Sequence, residues 1–268
     1  MIHRSLALVL DPMRATRRGA IVWAVSIASL VVLTVAFWPA FEGATDLGAM
    51  IDQLPPEVVA AFGLQGFGTP AGYLRGNLYD LLVPLLLGAA AIAFASGLTA
   101  GEEDAGRLEL VVAQPVSRGA VFAGRAGAML GWTLMLTASV AAAQLVSDAL
   151  FGLEIAADRL VAVIVLCGLL GLLHGCLALA MAGLLPRPSA VLGVGLGVLI
   201  AGFVVAALFP LSDTLGPWAG LSPWDWALGG DPLVNGAEPW RYLALAVPSA
   251  ALAAVGLAGF ARRDVRAA

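Results

Sequence analysis

Long uncharged stretches broken by short charged connections organise the chain. Uncharged or nearly uncharged runs cover residues 19–41, 81–101, 126–147, 160–185, 188–212 and 242–261. Each reaches the roughly 20 residues that a helix rising about 1.5 Å per residue needs to cross about 30 Å of hydrocarbon. None alternates strictly between apolar and polar positions, and backbone groups in lipid must be paired, so a helix bundle is expected rather than a barrel. The pattern predicts an all-α integral membrane protein with six transmembrane helices forming a single domain over residues 1–268. Composition agrees, since 60% of residues are hydrophobic, 12% are charged and the mean hydropathy is +0.94. The first run follows a basic segment, as a secretion signal would. It is longer than a signal's apolar region and further spans follow, so it is expected to be retained.

Arginine sets the orientation, because the chain contains no lysine. With the N-terminus in the cytoplasm, Arg4, Arg14, Arg17, Arg18, Arg107, Arg118, Arg125, Arg187, Arg262, Arg263 and Arg266 lie inside, and only Arg75, Arg159 and Arg241 outside. This 11 to 3 split predicts that both termini and the connection between the second and third spans are cytoplasmic. Most acids fall outside, so the net charge of −4 says little about partners.

The connections carry patterns of their own. Residues 2–18 place Leu6, Leu10 and Met13 at i, i+4, i+7, with Arg14, Arg17 and Arg18 gathered behind them. That spacing predicts a cytoplasmic interfacial helix over residues 1–18, open to a break at Asp11-Pro12; the plainer reading is a basic flank. In "LPPEVVAAFG", Pro55 and Pro56 are placed to open a short helix that Gly63 closes. Trp218, Trp224, Trp226 and Trp240 crowd a Pro- and Gly-rich segment, which suits either a loop at headgroup level or an aromatic lid over a ligand. Gly127 with Gly131, Gly171 with Gly175, and Gly193 with Gly197 form GxxxG pairs; with 32 glycines some arise by chance. Gly193, Gly195 and Gly197 form the densest run, and are the expected dimer interface.

Several chemistries are excluded. Without lysine there is no GxxxxGK[ST] phosphate loop, so ATP hydrolysis would have to come from a partner. Neither His3 nor His174 is followed by Glu, so HExxH is missing, and GxSxG is missing too. His174 sits mid-span with no second ionisable residue to pair with and reads as a packed polar contact. Cys167 and Cys176, nine apart in one run, read as packing residues. Tyr79-Asp80 and Gly230-Asp231 leave open an intramembrane carboxylate pair of the aspartyl-protease kind, although Leu228 stands where a GxGD motif has its first glycine.

The most charged connection reads "GEEDAGRLELVVAQPVSRG" over residues 101–119. Thr99 and Glu102 have the spacing of a capping box, and Glu102, Glu103 and Asp104 fall where a helix dipole favours acids. Leu108, Val111 and Val112 form one apolar face, Pro115 stops the helix, and Ser117 is placed to cap the next. An amphipathic helix over residues 102–114 is expected; a solvated loop is the alternative.

"EEDAGRLELVVAQPVSR" resembles the signature of type 2 ABC exporter permeases: EE, two residues, G, x, L, E and, after a short apolar stretch, PVSR. The matching positions are Glu102, Glu103, Gly106, Leu108, Glu109, Pro115, Val116, Ser117 and Arg118, and Arg107 stands where the family commonly has a small hydroxyl residue. The six-span layout, the outer-loop motifs and the terminal "FARRDV" extend the resemblance over nearly the whole chain. It implies a permease that forms a dimer, with an identical or a different second permease, and binds two copies of a separate ATPase subunit in the cytoplasmic (inner) membrane. ATP and Mg would sit on that subunit, with no cofactor in this chain and no nucleic acid among its partners. The 102–114 helix would be the coupling helix, with Glu102, Glu103 and Glu109 contacting the ATPase and Gly106 allowing close packing. Few intramembrane charges favour a hydrophobic or amphipathic cargo such as a drug, antibiotic or lipid. The rival readings are an ion-coupled secondary transporter, which should show acids within spans or paired broken helices, and a membrane enzyme.

Overall fold

A computed structural model describes residues 2–42, 50–51, 53–55, 58–59, 66–113, 115–185 and 187–263. Among these residues the secondary structure is helical throughout. The elements are α1 (Ile2–Ala36), α2 (Trp38–Glu42), α3 (Pro70–Leu74), a π-helical turn (Arg75–Tyr79), α4 (Leu82–Leu98), α5 (Ala100–Asp104), α6 (Arg107–Val112), α7 (Arg118–Phe151), α8 (Ala157–Leu184), α9 (Pro188–Leu208), α10 (Pro223–Leu228), α11 (Pro232–Asn235) and α12 (Pro239–Arg262).

Six helical segments are long and apolar enough to span a membrane: Leu6–Phe41, Pro70–Asp104, Arg118–Phe151, Ala157–Leu184, Pro188–Leu211 and Pro239–Arg262. Each contains or nearly coincides with one uncharged run, and several overrun it, because helices continue past the hydrocarbon until a cap or a proline stops them. Ser117 caps α7 as expected, accepting from Ala120 N at 3.2 Å. α7 closes at Gly152 in the left-handed region.

The expected break at Asp11-Pro12 does not occur. α1 runs unbroken through Pro12 for 35 residues, about 52 Å at the usual rise. α7 lies parallel along it and packs closely against it. A Cβ added at Gly124 would lie 2.6 Å from Leu8 O, and one added at Gly127 would lie 3.1 Å from a Val9 methyl. Farther up, Trp132 Nε1 donates to Thr16 Oγ1 at 2.9 Å. The expected Pro55–Gly63 helix lies largely outside the described residues.

α4 and α8 form the buried centre, with the other spans around them and lipid-facing apolar side chains such as Val22, Leu134 and Leu243 pointing out. Glycine makes the tightest crossings within the chain. A Cβ at Gly183 of α8 would lie 2.2 Å from Gly256 O of α12, and one at Gly171 would lie 3.1 Å from the Leu87 backbone of α4. So Gly127, Gly171 and Gly175, in pairs that chance alone could supply, sit at internal contacts. Gly195 is spent in the same way, with Ile92 packed over it at 2.8 Å from a built Cβ, whereas Gly193 and Gly197 are exposed and open. The expected dimer interface therefore splits. Residues two apart on a helix point roughly 200° apart, so Gly195 cannot share a face with the other two.

Cys167 and Cys176 are buried free thiols, and His174, 2% exposed, donates from Nδ1 to Leu170 O of its own helix at 2.8 Å. The tryptophan-rich segment is folded rather than loose. Trp224 is buried against Phe203 and donates to Leu199 O at 3.0 Å, while Trp218 and Trp240 stay exposed.

Candidate functional site at the link between the second and third spans

The link joining α4 to α7 sits at one end of the bundle, beside the start of α1 and the last turn of α12. It is two short helices rather than the single expected one. Gly106 takes a φ of +68° between α5 and α6, a left-handed turn in which a built Cβ would meet nothing within 4 Å. Glycine suits this left-handed turn, where a side chain would be strained. The expected capping box does not form either. Thr99 makes no side-chain cap, because its hydroxyl donates back to Ala95 O and closes the end of α4 instead.

The acids turn inward. Glu103, 6% exposed, receives two bonds from Arg263, at 2.6 and 2.5 Å. Arg263 also donates to Gly183 O at 2.9 Å and Ala182 O at 3.3 Å, and lies over the Phe260 ring. Its own carbonyl accepts from Arg118 Nη1 at 2.6 Å. One arginine thus ties α5 to the ends of α8, α12 and α7. Glu102 pairs with Arg125 at 2.7 Å, tying α5 to the first turns of α7. Both pairs are shielded from water, so they hold the link far more firmly than surface pairs would.

Leu108 also points inward, 1% exposed, whereas Leu110 is 72% exposed. Of the expected apolar face, Leu108 seats α6 on the bundle and Val111 is half-buried, while Leu110 is what α6 presents outward. Glu109 is half-buried, and Pro115 is exposed at the bend after α6. Glu102, Glu103 and Leu108 thus make their closest contacts within the chain.

A family model described as the C-terminal domain of the multidrug efflux system permease Rv1217c matches residues 4–261. The chain belongs to this family. No curated protein matches it. The permease is therefore a multi-pass membrane transporter component, and the link is a firmly seated structure within it.

At the opposite end, the permease brings together the two aspartates singled out as a carboxylate pair, but around a cation. Arg75 contacts Asp231 at 2.6 Å and Asp80 at 3.4 Å. An arginine held between them makes an ion-pair triad, not two carboxylates facing one reacting atom. Among the described residues, no group of three or more His, Cys, Asp or Glu is placed to hold a metal. Sequence reasoning missed Arg125 and Arg263 as the partners of the acids. Arg263 lies 160 positions from Glu103, and only the excess of inward-facing arginine near the ends of spans hinted at it.

Proposed function

We propose that the chain is the permease subunit of an ATP-driven exporter, working as a dimer with two copies of a separate ATPase subunit that carries ATP and Mg. The observation that carries this reading is the α5–α6 link. It is clamped by Glu102–Arg125 and Glu103–Arg263 yet presents Leu110 outward. A clamped, protruding link transmits force: a push on α6 reaches α7 through Arg125 and reaches α8 and α12 through Arg263. ATP binding would close the ATPase pair, drive the two links together and shift the spans toward outward release. The arginine distribution supports placing the link and both termini in the cytoplasm, with the chain in the inner membrane. The cargo is a hydrophobic or amphipathic compound of the drug, antibiotic or lipid class, as the multidrug efflux family and the lack of charge within the spans both support. The exposed face of α9 with Gly193 and Gly197 supports the contact with the second permease.

The experiment is co-purification. Leu110→Asp should insert normally but lose the ATPase subunit and cargo-stimulated hydrolysis, because a carboxylate would then be buried against the partner. Full retention of both would overturn the docking of α6.

A further inference from the structure

The run of acids at the start of the link suggests an acidic surface, but the charge turned outward there is of the opposite sign. Glu102 and Glu103 are held by Arg125 and Arg263, which leaves Asp104 as the exposed acid of α5. Arg107, the first residue of α6, is exposed and makes no hydrogen bond or ion pair among the described residues. It lies within electrostatic reach of Glu102, but Arg125 already contacts that carboxylate at 2.7 Å. Arg187, just before α9, and Arg262, in the last turn of α12, are exposed as well. Both flank the link, because α9 packs against α5 and Arg263 joins α5 to the end of α12. Of the remaining charges nearby, Asp11 sits 3.4 Å from Arg14, and Glu109 and Arg118 are half-buried. Around α6 the chain therefore offers Arg107, Arg187 and Arg262 against Asp104.

Arg107 and Leu110 are three apart on α6, so they stand one turn apart on the same side. Both are exposed. A surface that closes over Leu110 reaches Arg107 too, and taking a guanidinium out of water without a counter-charge is costly. The covering surface fits only if it has a carboxylate beside its apolar socket.

On the reading that α6 docks the ATPase subunit, we infer that the subunit's docking surface is acidic. An apolar socket takes Leu110, a carboxylate at its edge takes Arg107, and further acids face Arg187 and Arg262. A guanidinium and a carboxylate pair through two parallel hydrogen bonds, which fixes the direction of α6 on the socket as well as its place. The opposite charges steer the two subunits together and select against an ATPase whose socket is basic.

The probe is the ATPase subunit that co-purifies with the native permease, identified by its phosphate loop and then produced separately. Its affinity for the full-length permease in nanodiscs containing anionic lipid is measured by surface plasmon resonance. Wild-type affinity should fall about tenfold between about 0.05 and 0.5 M salt. At low salt Arg107→Glu should weaken binding at least about tenfold, since like charges then face each other, and Arg107→Gln about threefold. Arg107 is exposed, so these variants leave the fold intact. Exchanging an acid at the edge of the socket for arginine should restore binding to Arg107→Glu. Two failures are distinguishable. Full affinity in Leu110→Asp would mean that α6 is not the dock, which overturns the underlying reading. Loss in Leu110→Asp with full affinity in Arg107→Glu, or wild-type affinity indifferent to salt, would keep the dock and overturn its acidic partner surface. The inference is also overturned if Arg107→Glu keeps the subunit but loses anionic lipid retained by the wild type, which would give Arg107 to the headgroups.

Discussion

Both ends of this bundle are closed by arginines reaching across from another element, but they are fastened to different things. At the link end, Arg263 and Arg125 hold carboxylates on a five-residue helix. At the opposite end, Arg241 donates to the carbonyls of Asp225 and Trp226 at 3.0 and 3.1 Å, and Trp224 to Leu199 O. Side-chain bonds to backbone carbonyls fix the tryptophan-rich cap to α9 and α12. Side-chain charge pairs seat the link just as closely, but they tie a separate small element to three long helices. In the proposed exporter the link would pass displacement on, and the cap would stay.

The largest expected effect comes from breaking that clamp. Arg263→Ala takes a two-bond cationic partner from the buried Glu103 carboxylate, at a cost of about 3–5 kcal/mol. Denaturant unfolding in detergent should show it, with exposed Arg262→Ala as the control. Equal behaviour of the two variants would mean that the link does not depend on its charges. Next is Gly106→Ala, expected to cost about 1–2 kcal/mol from left-handed strain alone, because the added methyl has room. Its signature is lost protection of amides in α5 and α6 by hydrogen exchange, with the cap unchanged.

How much of this was legible in the sequence follows from the range of each interaction. The six spans rest on local hydrophobicity, and the caps at Ser117 and Gly152 on neighbouring residues, so they can be read directly. The inward turn of Glu102 and Glu103 depends on Arg125 and Arg263, whose approach is a property of the packed bundle. The glycine pairs show the same limit. Spacing marks where backbones can meet, but only the fold decides whether a helix of this chain already fills the place, as at Gly171, or none does, as at Gly197. Burial of Leu108 agrees with its apolar spacing, whereas the exposure of Leu110 depends on the turn at Gly106, which the sequence offers without stating its angle.

A smaller effect belongs to the cap. Trp224→Phe keeps the ring against Phe203 but removes the bond to Leu199 O, at a cost of about 1 kcal/mol. The loss should appear as faster exchange in α10 and the end of α9, with the link untouched. If protection at the link fell as well, the two ends would be one cooperative unit, and the contrast between them would fail.

The smallest expected effect on stability is also the sharpest test of the contrast. Each end exposes a large apolar side chain: Leu110 on the link, 72% exposed, and Trp218 on the cap, 57% exposed. An indole has an N–H that suits the headgroup layer, so Trp218 is accounted for by the membrane itself. Leucine has no such polar handle, and on a helix held rigidly outward it is more readily explained by a protein surface placed over it. Neither Leu110→Asp nor Trp218→Ala removes a packed contact, so each should change unfolding free energy by no more than about 0.5 kcal/mol. Retention of the proposed ATPase subunit should then separate them. Leu110→Asp loses it while Trp218→Ala keeps it, although the two variants are equally stable. If Trp218→Ala lost the subunit as well, the cap would be transmitting structure to the far end and could not be the static closure that its bonds to backbone carbonyls describe.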